Sequence, residues 1–373
     1  MLTHVGRRET RVITTSGEIR INRSVLYDRM DKTTEIPTDE YIEIKDLPFK
    51  ITKAMMTDTA FYGQNEGSFE KAGVMIKKSM NIDISKETIR EVTEYVGKKV
   101  YEEDTKRGAE IIINTEGLEI SRDQVDTLYI MIDGAAVNTR IEDENGSTWR
   151  ENKLVIAFRS KDIIQRGNGD SLILKKEYMS YIGSAEEFRK YVMDIAVRNG
   201  YKNTKNVVVI ADGATWIRNL CEEILPDAVQ ILDKFHLCEN IYTYAKQLFN
   251  NVDSLYVPWA ESVINKIENG QIEEALKLIP ENEKKAAGVF NLKGYIQNNI
   301  DKINYPLYKD QGFFIGSGAI ESGNKTVVHR RLKQAGMRWS VDGAQYVLTL
   351  RTKAESNLWN KHVREFICAS CAA

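Results

Sequence analysis

The chain has 373 residues, of which 42% are hydrophobic and 28% charged, with a formal net charge of −2 at pH 7. That composition is ordinary for a globular protein with room for two or three domains. No apolar run reaches membrane-spanning length and the opening Met1–Arg8 stretch has no apolar leader, so a cytoplasmic protein without a membrane partner is expected. The four cysteines, Cys221, Cys238, Cys368 and Cys371, suit reduced thiols rather than a disulfide scaffold, and the closing Cys-Ala-Ser-Cys reads as a frayed tail.

In chain order, residues 10–30 alternate around Ser16-Gly17, so 1–50 are expected to form a β-hairpin region. Residues 51–118 turn helical. Phe69, Ala72, Ile76 and Met80 share one face, and the spacing resumes at Ile89, Val92 and Val96, with Ser85 placed as an N-cap between the two runs. Two helices across a short break predict a helical hairpin or a DNA-binding helix-turn-helix, although Glu87, Glu91 and Glu94 dilute the cations of the second helix.

Residues 119–235 carry the strand signals. A first strand ends at Asp133, Val137–Ile141 and Lys153–Phe158 flank a polar turn as a hairpin, and Ser171–Tyr181 supplies another strand. A helix over 185–199, a strand over 206–211, a helix over 214–224 and a strand over 229–232 follow. Residues 236–312 read as helices. Residues 313–373 begin with Gly316-Ser317-Gly318-Ala319-Ile320-Glu321 and become basic: from Ser322 to Arg364 there are nine Lys and Arg against two acids. Local charge of this kind suits a nucleic-acid surface even where the net charge does not. If the closing helix is regular, Val328 and Leu332 share the face of Glu321, while Arg330 and Lys333 point away.

Two of the apolar strands end in Asp-Gly-Ala, at Asp133 and Asp212. Either acid alone reads as a turn or cap residue. Together they sit where open α/β sheets place ligands, at the carboxyl edge, and Glu321 supplies a third carboxylate. Three converging carboxylates can hold two divalent cations about 4 Å apart for in-line phosphoryl transfer. Hard oxygen ligands favour Mg²⁺, with Mn²⁺ as a substitute.

The order Asp133, Asp212, Glu321, the run Asp233-Lys234-Phe235-His236, and the block from Gly316 to Gly336-Met337-Arg338-Trp339-Ser340 resemble bacterial insertion-sequence DDE transposases of the Mutator-like branch. Seventy-nine residues separate the first pair and 109 the second. The resemblance spans roughly residues 60 to 365. It implies an α/β fold in which 119–235 form the first part of an RNase H-like core, 236–312 a helical insertion domain and 313–373 the closing catalytic helix with its basic tail. It also implies metal-dependent DNA cleavage and strand transfer by a homo-oligomer on double-stranded DNA, found with the nucleoid. Asp133, Asp212 and Glu321 would be the metal ligands. His236 would position a scissile phosphate or a nearby carboxylate, unless it is an interior or capping residue. Lys325, Arg330, Arg331, Lys333 and Arg338 would face DNA, with Trp339 or Trp149 stacking on a base unless they pack in the core. A metal-dependent nuclease on the same core, or a DNA-binding derivative without catalysis, are the neighbouring readings.

Overall fold

The computed structural model describes residues 2–115, 124–166, 171–280, 290–316 and 318–369. Strands β1 (Leu2–Thr14) and β2 (Gly17–Asp28) form the expected hairpin, longer than the sequence pattern suggests, and β3 (Thr33–Glu35) pairs with β2. Its arginines are largely answered: Arg11 bonds Glu18 at 2.7 Å, and Arg23 is buried against Asp39 of α1 (Pro37–Tyr41).

Helices α2 (Lys53–Asn65), α3 (Phe69–Met80) and α4 (Lys86–Thr115) follow. The side chains of Ser68 and Ser85 cap α3 and α4, each accepting from a backbone N–H three residues on at 3.1 Å. Ile89, Val92, Val96 and Val100 of α4 are buried with Met55, Met56 and Ala60 of α2. The exposed stripe of α4 pairs its own charges, Lys86 with Glu87, Arg90 with Glu91, and Lys98 and Lys99 with Glu102. The helix packs as an internal scaffold, and the charges along its outer face are paired.

The centre is a mixed α/β arrangement around five strands. These are β4 (Gln124–Asn138), β5 (Trp149–Arg159) and, after a small hairpin of β6 (Ile163–Gln165) and β7 (Ser171–Ile173), β8 (Glu177–Ile182). Helix α5 (Ala185–Arg198), β9 (Thr204–Ala211), α6 (Thr215–Ile224) and β10 (Val229–Leu232) complete it. The order across the sheet is β10-β9-β4-β5-β8. The β4-β5 and β5-β8 pairs are antiparallel, whereas β9 pairs parallel with both β4 and β10. Strand β4 does not end at Asp133: antiparallel pairing with β5 continues from Asp133 opposite Leu154 to Asn138 opposite Trp149, so the expected separate strand over 137–141 is its extension.

Side chains alternate across the sheet. Leu128, Ile130 and Ile132 pack with Phe188, Tyr191 and Ile195 of α5 and with Ile217 and Leu220 of α6. Tyr129 and Met131 face a second core on the other side of the sheet. That second layer contains α7 (Lys234–Leu248), α8 (Asp253–Glu268), α9 (Ile272–Leu278), α10 (Leu292–Asn298) and α11 (Tyr305–Asp310). Their buried residues, among them Ile241, Val263, Ala275, Ile296 and Tyr305, join the same hydrophobic cluster as the sheet. The segment expected as a helical insertion is thus fused to the sheet through a common core.

The chain closes with α12 (Gly318–Gly323), a π-helical segment (Asn324–His329) and α13 (Arg330–Leu332), which run on as one helix. Then come α14 (Val341–Glu355), a second π-helical segment (Asn360–Arg364) and α15 (Glu365–Ala369). Lys353 of α14 is buried against Asp104 of α4 at 2.7 Å, and Arg107 joins Asp104 to Asp194 of α5, so an ionic network ties the helical scaffold to the sheet. The second cysteine of the terminal Cys-x-x-Cys, Cys371, lies outside the described residues.

Candidate active site at the sheet edge

Register brings Asp133, inside β4, beside Asp212, just past the end of β9. Ile132 pairs with Ala211, and Ala211 pairs with Leu232 on its other side, all in parallel strands. Asp133, Asp212 and Asp233 are therefore the next residues of three adjacent strands, about 4.8 Å from neighbour to neighbour along the row. Asp233 belongs to this row by register. Its place in sequence, just after an apolar strand, is the same signal that marks the other two acids.

Each acid is held by local geometry. Asp212 Oδ1 accepts the Ala214 N–H at 2.8 Å, closing a turn over Gly213, whose φ of +85° sits in the left-handed region. A Cβ there would also meet Leu232 Cδ1 at 2.7 Å, so only glycine fits. Asp233 Oδ1 accepts the Phe235 N–H at 2.9 Å and caps α7. Two tyrosines of the helical layer fasten the same edge: Tyr295 donates to the Asp212 carbonyl at 2.7 Å and Tyr305 to the Leu232 carbonyl at 3.0 Å.

Asp133 is partly buried at this edge. Burial raises its carboxyl above the usual aspartate range; the Gly134 N–H and the nearby His236 oppose that shift, the charge of Asp212 adds to it, and Asn324 opposes it. His236 and Asp212 are thus within electrostatic reach of Asp133, and Asn324 is hydrogen-bonded to it. His236 stands one turn into α7, with Nε2 3.7 Å from Asp233 Oδ2 and Nδ1 3.5 Å from Glu239 Oε2. Its Nε2 is buried without a hydrogen-bond partner.

The closing helix lies on this edge through α12. Gly323 allows the approach, because a Cβ there would meet Ile156 Cδ1 at 2.7 Å and Tyr178 Cε1 at 3.0 Å. One residue later, Asn324 donates from Nδ2 to Asp133 Oδ2 at 2.7 Å. Glu321 is three residues before Asn324, one helical turn away, and is partly exposed. Sequence reasoning did not single out Asn324; an amide three residues after the candidate glutamate is the signal that was there. Val328 and Leu332 are buried and Arg330 and Lys333 exposed, and Val327, in the π-helical segment, is buried beside Val328.

Oxygen donors from Asp133, Asp212 and Glu321 are the hard ligands that Mg²⁺ or Mn²⁺ takes. Beside them Asn324 Oδ1 is buried with no hydrogen-bond partner, an acceptor of the same chemical kind. The residues present fit such an ion. Among the described residues no three His, Cys, Asp or Glu side chains are already drawn together as a finished cluster.

The basic segment divides in two. Lys325, Arg330, Lys333 and Arg338 are exposed, as expected for a surface that meets phosphates. Arg331 and Trp339 are not: they are 1% and 5% exposed. The Arg331 guanidinium lies between the rings of Phe69, 4.5 Å away, and Trp339, 4.8 Å away, and Nε donates to the Gly63 carbonyl. Trp339 Nε1 donates to the Leu332 carbonyl at 3.3 Å. Both are corrected from surface contacts to packing residues that join the closing helix to α2 and α3. Arg351 and Lys353, counted in the same basic run, are likewise interior. Trp149, at the start of β5, remains exposed.

No curated protein sequence matches this chain. A family model, described as Uncharacterised protein family (UPF0236), matches residues 4–364 and so takes in the hairpin, the helical scaffold, the sheet and the closing helix together. Over nearly its whole length, the chain belongs to the family UPF0236.

Proposed function

We propose that this protein is a DDE-type DNA transposase, with an RNase H-like catalytic core that cleaves DNA and joins the freed strand to a target. The observation that carries the reading is the row formed by Asp133 inside β4 and Asp212 just past the end of β9. Asp133 and Asp212 are neighbours on parallel strands, and a helix carrying Glu321 is pinned to Asp133 by Asn324. The strand order β10-β9-β4-β5-β8, with an antiparallel meander followed by two parallel strands, supports the RNase H-like assignment. The exposed cations after Glu321 support a polyanionic substrate.

In this reading Asp133, Asp212 and Glu321 hold Mg²⁺ or Mn²⁺. When bound, the ions activate the attacking oxygen and stabilise the leaving one. Asn324 fixes the orientation of Asp133, Asp212 is oriented by its turn, and the partly buried His236 holds a phosphate oxygen or a carboxylate at the same edge. Lys325, Arg330 and Lys333 keep the strand in place. Water would attack the phosphodiester first, breaking its P–O3′ bond to leave a 5′-phosphate and a free 3′-hydroxyl; that hydroxyl would then attack a target phosphodiester and displace the target strand's own 3′-hydroxyl.

The test is Mg²⁺-dependent nicking of DNA that carries the inverted repeats flanking the coding region. Asp133→Asn, Asp212→Asn and Glu321→Gln should each abolish nicking while leaving DNA binding largely intact, and His236→Ala should slow nicking more than it lowers stability. Nicking retained in two of the three acid variants sinks the assignment. Nicking without joining of the 3′ end to target DNA would identify a nuclease instead.

A further inference from the structure

We propose that the cavity where α3, α4 and the turn before α14 meet binds one nucleotide unit of a nucleic-acid strand, with its phosphate on Arg90, Arg140 and Arg338. The inference rests on the proposed action on DNA for the source of the nucleotide. The binding chemistry itself is independent of the acidic edge.

The cavity has a volume of about 380 Å³, within the range of small-molecule sites. Its wall carries four arginines, the three above and Arg331, against one acid, Glu94. Arg140 and Arg338 are held side by side: the Arg140 N–H donates to the Trp339 carbonyl at 2.8 Å and its Nε to the Arg338 carbonyl at 3.3 Å. Both side chains are exposed, and Arg90 is half-buried. Glu94 lies against Gly343 in the first turn of α14 and within electrostatic reach of Arg90 and Arg140, and Arg90 is also 3.5 Å from Glu91, so Arg338 and Arg331 supply the excess of positive charge.

Two further features favour an anion. Ser68, the N-cap of α3, lines the cavity and brings the positive end of a 12-residue helix to it, while the start of α14 is met by Ser340 and Glu94. Arg331, at the cavity wall, is almost fully buried, and its Nη2 has no hydrogen-bond partner. Burial pushes its pKa down to about 10, with Arg351 adding to the effect. A buried cation without an acid beside it is relieved by an anion placed at the mouth.

The rest of the wall points to a nucleotide rather than a bare phosphate. Phe69 and Met337 are partly exposed there and give the cavity an apolar side, while planar guanidinium groups match phosphate oxygens in pairs. A sugar and base against the apolar side, with the phosphate on the arginines, uses both.

The experiment titrates the full chain with dTMP, thymidine and inorganic phosphate, read by calorimetry and by the shift in Tm. Thymidine should not bind, inorganic phosphate should bind at least tenfold more weakly than dTMP, and Arg140→Gln with Arg338→Gln should weaken dTMP at least tenfold. The single variant Arg338→Gln, exposed and outside the core, guards against a folding defect in the double variant. Absence of dTMP binding, equal binding of thymidine, or unchanged affinity in the variants overturns the site, and phosphate binding as tightly as dTMP overturns its assignment to a nucleotide. Nicking is measured in parallel. A chain that binds dTMP as expected but never nicks DNA keeps the pocket and loses the transposase reading; one that nicks but ignores dTMP does the reverse.

Discussion

Asn324 and Asp133, 191 residues apart in sequence, are joined by a 2.7 Å hydrogen bond from the amide Nδ2 to the carboxylate Oδ2. The bond fixes the first turns of the closing helix to the centre of the sheet edge, and so determines where Glu321 stands. Asn324→Ala should lower stability by about 1–3 kcal/mol, the range for leaving a buried polar partner unsatisfied. It should also weaken stabilisation by Mg²⁺, read as a smaller rise in Tm on adding the ion and a smaller fall on adding EDTA. An unchanged metal response would reduce Asn324 to a packing residue.

The exposed and interior cations of the basic segment should separate in a binding experiment. Replacing Lys325, Arg330 and Lys333 with Gln should flatten the salt dependence of duplex binding by about 0.9 per lost phosphate contact, without changing sequence preference. Arg331→Ala should instead lower stability, because each buried cation–π contact contributes up to about 2 kcal/mol. A triple variant with an unaltered salt slope would place the DNA surface elsewhere on the chain.

The buried pair of Lys353 and Asp104 offers a double-mutant cycle. Asp104→Asn alone leaves the Lys353 ammonium, 1% exposed, facing a neutral amide, and should cost about 3–5 kcal/mol in urea denaturation. Adding Lys353→Met should recover a large part of that loss. If the two changes simply add, the pair contributes nothing specific.

His362 should make stability depend on pH. Burial first, then the charges of Lys353, Arg198 and Arg107, depress its pKa to about 4, below the ordinary value of 6.5. Between those values the unfolded chain binds a proton that the folded chain refuses. Stability contributed by the neutral imidazole is therefore present above 6.5 and is lost as pH falls toward 4. Thermal melts of the native chain and of His362→Gln across that window should converge as pH falls. Parallel curves would mean that His362 titrates alike in both states.

The elements were legible to different degrees. Ser16-Gly17 marked the hairpin, Ser85 marked the start of α4, and the apolar runs before Asp133 and Asp212 marked two central strands, because turn chemistry and hydrophobic period are local. The end of β4 was misread at Asp133 because Asp-Gly-Ala is also a turn signal. Only the longer partner β5 carries the strand on to Asn138. In the closing helix Val328 and Leu332 are buried and Arg330 and Lys333 exposed, as the 3.6-residue spacing suggests, but the burial of Val327 and Arg331 beside them was not legible in that spacing.

The sequence by itself determined that acids follow two buried strands, that a third carboxylate opens a glycine-turned helix, and that a basic run comes after it. Those are statements about neighbours along the chain. Tertiary structure alone decided that Asp233 joins the row, that Asn324 reaches Asp133, and that Arg331 and Trp339 leave the surface for the core. The physical reason is that parallel register and helix docking set which distant groups meet. A cation flanked by Phe69 and Trp339 has the same one-letter code as one in solvent, and only the packing around it tells them apart.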